Sequence, residues 1–380
     1  MNLSHTFLNH FECLDDPRQD NHNRRHNLID ILVMTILGTI CGADTWIEIQ
    51  EFACSKYDWL KSFLELPNGI PSHDTFGRVF ALLDPTKFET CFSTWIESLE
   101  VEVDREIIAI DDKTLRGSGN RRKHKKALHL VSAWAVNNRV LLGQVKTEEK
   151  SNEIEAIPRL LEMLDVSKTI VTLDAMGCQK SIAQQIIDQK GHYVLSLKGN
   201  QETLYQDVAR IFALGEERQF KKMLNKRKLE KVHDHGRHET RRYTLISARD
   251  PLLFQVRWPG LKSIGMSEVT RTTNNQVEKS KRFFLTSLEE DIDGFMEAVR
   301  KHWGIEINLH WSLDVSFRED INRSRIGHSA RNLATVRRIA LKLLTQEKTH
   351  KRGILCKRKT AGWNHTYLMK VLKTGCSHEL

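Results

Sequence analysis

The sequence predicts a mixed α/β fold behind a helical N-terminal domain. Three observations carry this. Residues 1–100 place apolar side chains at helical spacing; residues 103–200 alternate short β-rich runs with helical ones; and after an interruption at 201–290 a long helical pattern resumes.

In the first region, "LIDILVMTILGTICG" and "WIEIQEFACSKYDWLKSFLEL" read as helices. Pro71 and Ser72 open another, with Ser72 as N-cap, and Phe76, Val79, Phe80 and Leu83 form its buried face. From 103 the texture changes. "EIIAID" reads as a strand ending at Asp111. "ALHLVSAWAV" and "VLLGQVKT" form a hairpin around "NNR". "NEIEAIPRLLEMLD" is a helix that Pro158 delays or bends. "TIVTLDAMG" is a strand, "KSIAQQIIDQKG" a helix closed by Gly191, and "HYVLSLKGN" a strand. The order β-β-β-α-β-α-β is that of a hairpin-containing sheet continued by crossover units. Residues 201–290 open helical and then offer "RHETRRYTLISA" and "KRFFLTSL" as strands, an insertion before the helical "DIDGFMEAVRKHWGIEINLHWSLDV". The domains expected are therefore 1–100, 103–345 with its insertion, and a basic, peripheral tail at 346–380.

Composition narrows the class. With 28% charged and 40% hydrophobic residues the chain reads as soluble and globular. The run "ILVMTILGTIC" is too short and polar to span a bilayer and reads as a buried helix. No signal pattern opens the sequence, and the seven cysteines are scattered without a CxxC pair, so an intracellular protein without membrane attachment is expected. None of the 17 histidines forms HExxH, and Cys376 with His378 reads as a loose tail rather than a metal site. The net charge of +9 is concentrated in acid-free runs, "KTLRGSGNRRKHKK" at 113–126 and "KTHKRGILCKRK" at 348–359, which suit phosphate contacts better than two unrelated solvated loops.

Three carboxylates stand where packing alone would not put them. Asp111 and Asp174 each end an apolar run, and Glu306 lies in "HWGIEINLHW" between His302 and His310. Taken singly, either aspartate could be a strand-end turn, and Glu306 could be half-exposed on an amphipathic helix. Brought together they would repel by roughly 4 kcal/mol per close pair at about 4 Å and an effective dielectric near 20. Divalent cations reverse that sign, and an oxygen-only ligand set favours Mg²⁺ or Mn²⁺ over zinc. Two such ions would suit displacement at a phosphodiester.

"AIDDKTLRGS", "KSNEIEAIPRLLEMLD", "VTLDAMGCQKSIA", "YVLSLKGNQ" and "HWGIEINLHWSLDVSFRED" resemble motifs of the H-repeat-associated family of DDE insertion-sequence transposases. "GIPSHDTFGRVFALLDP", "RRIALKLL" and "KRKTAGWNHTYL" extend the resemblance over nearly the whole chain. It implies a ribonuclease-H-like core and an Asp-Asp-Glu triad of Asp111, Asp174 and Glu306. It also implies a bacterial, nucleoid-associated cytoplasmic protein that acts on element ends and target DNA and assembles there as a homo-oligomer. Two positions depart from the family: Asp112 stands where it has Gly, which makes the register of the first ligand ambiguous although Asp111 aligns better, and Ile307 stands where it has Asn.

Lys113, Arg116, Arg121, Arg122, Lys123, Lys198, Lys357 and Arg358 are the expected DNA contacts, with Asn200 beside Lys198. His302 is a candidate for proton transfer or a packed histidine, while Trp303 and Trp311 are expected in the core, one of them available to stack on an extruded base. The reaction expected is metal-dependent strand hydrolysis followed by attack of the freed 3′-OH on target DNA. A stand-alone metal nuclease and a decayed transposase that only binds DNA are the rival readings.

Overall fold

The computed structural model of the protein describes residues 7–19, 24–99, 105–147, 153–234, 237–253, 256–273 and 276–375. Its N-terminal region contains five helices: α1 (Leu28–Ile40), α2 (Trp46–Ser55), α3 (Tyr57–Lys61), α4 (His73–Leu82) and α5 (Pro85–Glu97). Local chemistry starts them. Thr45 and Glu48 form a capping box on α2, and the Ser72 hydroxyl accepts from Thr75 N to open α4. Asp84 caps α5, with Pro85 in its first turn.

The centre is one sheet, ordered β3-β2-β1-β4-β5-β9-β8-β7-β6. Its strands are β1 (Ile107–Leu115), β2 (Leu128–Ala135), β3 (Val140–Thr147), β4 (Ile170–Leu173), β5 (His192–Leu197), β6 (Asn225–Asp234), β7 (Arg237–Ser247), β8 (Ser263–Thr273) and β9 (Gln276–Thr286). β1 runs parallel to β4, and β4 to β5, through the crossover helices α6 (Glu153–Glu162) and α7 (Lys180–Asp188). α6 continues through Pro158. Residues 201–290 supply α8 (Glu202–Glu217) and then β6–β9, which extend this same sheet, since β9 pairs antiparallel with β5.

Both faces are covered, which is why Ile107 to Ile110 are all buried. Alternation splits them. Ile108 and Ile110 pack in the core with α6 and α7. Ile107 and Ala109 join the other core, shared with α1, α4, α5 and three later helices: α9 (Ile292–His302), α10 (Ser312–Phe317) and α11 (Ser329–Gln346). Between α9 and α10, residues Ile305–Trp311 wind as a π-helix.

The C-terminal segment is not peripheral. It forms α12 (Ile354–Trp363) and α13 (His365–Lys373), and Leu368, Val371 and Leu372 are buried in the shared core. Burying such side chains stabilises by about 1.5–3 kcal/mol each. Among the described residues, no helix is long and apolar enough to cross a membrane.

Candidate active site

β1 does not stop at Asp111. It continues to Leu115 in antiparallel pairing with β2, whereas its pairing with β4 ends at Ile110↔Leu173. Asp111 and Asp174 are therefore the next residues on adjacent parallel strands, at the point where the sheet opens between them. Alternation puts Asp111 on the face of Ile107 and Ala109, covered by α9, the π-helix and α10, and puts Asp112 on the opposite face with Ile108 and Ile110.

The side chains agree with that facing. His310, in the π-helix, holds Nδ1 3.6 Å from Asp111 Oδ2. Burial, then Lys113 and Arg338, push the His310 pKa down to about 3, so it meets Asp111 as a neutral ring. Burial also pushes Asp111 up to about 8, reinforced by the charges of Glu306, Asp112 and Asp174. Asp111 is thus a half-buried acid in a field of like charge. Asp174 Oδ1 accepts from Met176 N at 2.9 Å and Gly177 N at 3.3 Å, a turn that fixes the carboxyl at the strand end. Glu306 is exposed on the π-helix, a form that recurs at functional sites.

Among the described residues no three His, Cys, Asp or Glu side chains form a ready-made metal-binding group. Carboxylate oxygens whose charges repel, as those of Glu306 and Asp174 do on Asp111, are donor chemistry that fits a hard divalent cation.

His302 is a packed histidine by its contacts. Its Nδ1 lies 2.9 Å from Thr172 Oγ1 on β4, and burial depresses its pKa to about 4. Trp303 and Trp311 are not core residues: they are 44% and 59% exposed, and the Arg282 guanidinium lies 4.8 Å from the centre of the Trp303 ring. Instead 303, 307 and 311 all face solvent, Trp303 at the end of α9 and the other two on the π-helix.

The basic residues divide. Arg116, Arg122, Lys123 and Lys198 are exposed, with Arg116 Nε 3.4 Å from Asp320. Asn200 donates to Ala175 O at 2.5 Å, beside Asp174. Three others turn inward, which corrects their reading as phosphate contacts. Lys113 shares the face of Asp111, is buried, and its Nζ lies 2.5 Å from Asp314 Oδ2. Lys357 is buried and donates to Leu344 O and Glu347 O. Arg358 donates to Thr39 O at 3.0 Å, to Ser316 O and to Asp44 Oδ1 at 2.8 Å, and covers the Phe317 ring at 4.3 Å. The side chain of Arg121, and Cys376 with His378, lie outside the described residues.

Sequence reasoning gave no role to His310 or to the Lys113–Asp314 pair. The signal was there: Glu306, His310 and Asp314 follow at i, i+4 and i+8, and Lys113 shares strand parity with Asp111.

The chain has clear relatives. The family model described as "Transposase DDE domain" matches residues 102–343, and one described as "DDE_Tnp_1-associated" matches 8–96. A protein named "Putative transposase YncI" from Escherichia coli O157:H7 is 40% identical over 376 residues, covering 98% of this chain and 95% of that one. "H repeat-associated putative transposase YhhI" from Escherichia coli strain K12 is 37% identical over 374 residues, covering 96% and 97%. Among solved structures, "Cryo-EM structure of piggyBac transposase synaptic complex with hairpin DNA (SNHP)" aligns with a TM-score of 0.43 at 9% identity, covering 98% of this chain and 77% of that one.

Proposed function

Because the chain belongs to the DDE transposase family, we propose that it is a DNA transposase whose ribonuclease-H-like core cuts strands at element ends and joins the freed 3′-OH to target DNA. Asp111, Asp174 and Glu306 are the catalytic carboxylates and would hold Mg²⁺ or Mn²⁺, two ions in the full site. When bound, such ions would supply an activated hydroxyl and stabilise the leaving oxygen. The observation that carries this reading is the opening of the sheet between β1 and β4, with Asp111 and Asp174 as the next residues on the two strands and the π-helix of Glu306 on their face.

The chain's own groups divide the remaining work. His310 faces Asp111, with Nδ1 3.6 Å from its carboxyl. The turn amides of Met176 and Gly177 hold Asp174. Arg116, Arg122, Lys123 and Lys198 would neutralise backbone phosphates around the site, and copies of the chain would meet on the DNA in the bacterial cytoplasm.

The test is incubation of purified protein with a duplex carrying the element's ends, a target plasmid, and Mg²⁺ or Mn²⁺. Cut ends together with joined products are expected, both lost with EDTA. Cut ends without joining would make the protein a nuclease. Binding without cutting would make it a decayed transposase, a reading to which Ile307 lends itself.

A further inference from the structure

Residues 7–18 lie along α5 as a strap. Three contacts set its register. His10 Nε2 meets Ser98 Oγ at 3.3 Å, the Phe11 and Phe88 ring centres stand 5.6 Å apart, and Lys87 Nζ lies 2.5 Å from Asp15 Oδ2. The strap runs against the helix, with 10, 13 and 15 opposite 98, 91 and 87. Phe11 and Leu14 are buried.

In the middle of this register two thiols touch. Cys13 Sγ lies 3.3 Å from Cys91 Sγ, although the residues are 78 positions apart in sequence. A disulfide bond is about 2.0 Å long, so about 1.3 Å of sulfur movement would close the gap. The pair is asymmetric: Cys13 is exposed and Cys91 is buried. Burial, then the hydrogen bond and charge of Cys13, push the Cys91 thiol up to about 12, so Cys91 keeps its proton while Cys13 is intact. Among the described residues Cys54 and Cys356 are exposed too, but neither has a sulfur neighbour.

We propose that Cys13 and Cys91 are a peroxide-responsive thiol pair, in which oxidation of the exposed sulfur is captured by the buried one as a disulfide that fastens residues 7–18 to α5. An accessible thiol beside a second one that can resolve it is the arrangement this chemistry needs. The Cys13 thiolate attacks hydrogen peroxide, the O–O bond breaks, and a sulfenic acid and water result. The Cys91 sulfur then attacks the Cys13 sulfur, the S–O bond breaks, and the hydroxide leaves with the Cys91 proton as a second water. Two thiols lose two electrons and one peroxide gains them. A dithiol reductant reverses the bond by closing to a disulfide itself. The cross-link would enclose α1 to α4 in a covalent loop and so restrict the unfolded chain. It involves neither the carboxylates nor DNA.

The test takes full-length protein, reduced with dithiothreitol and desalted, and treats it with hydrogen peroxide. Remaining thiols are blocked with N-ethylmaleimide before non-reducing peptide mass mapping. A linked peptide carrying Cys13 and Cys91 is expected, with maleimide labelling lost at Cys91. Dimedone, which traps sulfenic acid, should mark Cys13 in the Cys91→Ala variant and not in wild type. The urea midpoint should rise by about 0.5–1 M on oxidation and return with dithiothreitol. It should not respond in Cys13→Ser, whose exposed position spares the core. Cys91 still open to maleimide after peroxide treatment would overturn the proposal, whether Cys13 is then unreacted, a sulfinic acid or bridged to a second chain. A linked peptide with an unshifted midpoint would overturn the fastening.

Discussion

Lys113 Nζ lies 2.5 Å from Asp314 Oδ2, and this pair ties the strand of Asp111 to the helix that follows Glu306. Asp320, 3.9 Å from the same ammonium, adds a second anion. Lys113 is nearly buried, with 6% of its side chain exposed against 33% for Asp314, so the pair is a clamp rather than a solvated contact.

Replacing Lys113 by Met should therefore destabilise the protein by about 3 kcal/mol, the lower end for breaking a buried pair, because Asp314 keeps some access to water. Urea unfolding measures this. The exchange Lys113→Asp/Asp314→Lys should recover part of the loss, and the salt slope of DNA binding should stay unchanged. A flattened slope with unchanged stability would return Lys113 to phosphate binding.

Asp111→Asn should lower strand cleavage by on the order of 10³-fold or more, since losing several kcal/mol of charge stabilisation in the transition state has that effect. DNA binding should persist. Asp112→Gly should keep most activity, because alternation puts Asp112 on the face of Ile108 and Ile110, opposite Asp111. The check is a cleavage assay with both variants beside wild type; an active Asp111→Asn with a dead Asp112→Gly would move the site by one residue.

Glu347 accepts hydrogen bonds from Thr349 N at 2.7 Å, His350 N at 3.2 Å and Tyr367 Oη at 2.8 Å. Burial alone would raise its pKa, but the hydrogen bonds from Thr349 and Tyr367 and the backbone outweigh it and bring the group from 4.5 down to about 2. A depressed acid stabilises the fold above its unfolded value and loses that stabilisation as protons bind the native state. Stability attributable to Glu347 should be complete above about pH 5 and fade toward pH 2. Glu347→Gln should cost on the order of 2–3 kcal/mol at pH 7 and little near pH 2. Unfolding curves of both proteins between those pH values decide it; a difference independent of pH would count against the ionised role.

Trp311→Ala should cost under about 1 kcal/mol, whereas Trp95→Ala, at a fully buried ring, should cost about 3–5 kcal/mol. Ile307 is 63% exposed, so Ile307→Asn should change stability by no more than about 0.5 kcal/mol. Any change that variant makes in cleavage is then chemical in origin. Thermal melts beside cleavage rates separate the two effects; a large loss of stability at Trp311 would place it back in the core.

The helices and strands with a clear apolar period were readable from sequence: Phe76, Val79 and Phe80 on α4, and Ile107 to Ile110 on β1. β6, "NKRKLEKVHD", was not, because an exposed edge strand carries no apolar alternation. The end of β1 was misplaced at Asp111 because the strand loses its β4 neighbour there but keeps β2, and sequence does not count partners. Asp111, Asp174 and Glu306 could be singled out from apolar runs meeting acids. Lys113, Lys357 and Arg358 looked like surface cations because their anions and carbonyls come from far along the chain, Arg358 reaching Thr39 across 319 residues. Trp303 and Trp311 were expected in the core as large aromatic side chains, but they stand 44% and 59% exposed.

That reach of Arg358 has a temporal meaning. Ribosomes deliver α1 first and the guanidinium that satisfies the Thr39 carbonyl and clamps Ser316 only hundreds of residues later. Until then the α1 end and the helix beyond Glu306 share a core but lack the one guanidinium that bonds both, and a message broken before codon 358 never provides it.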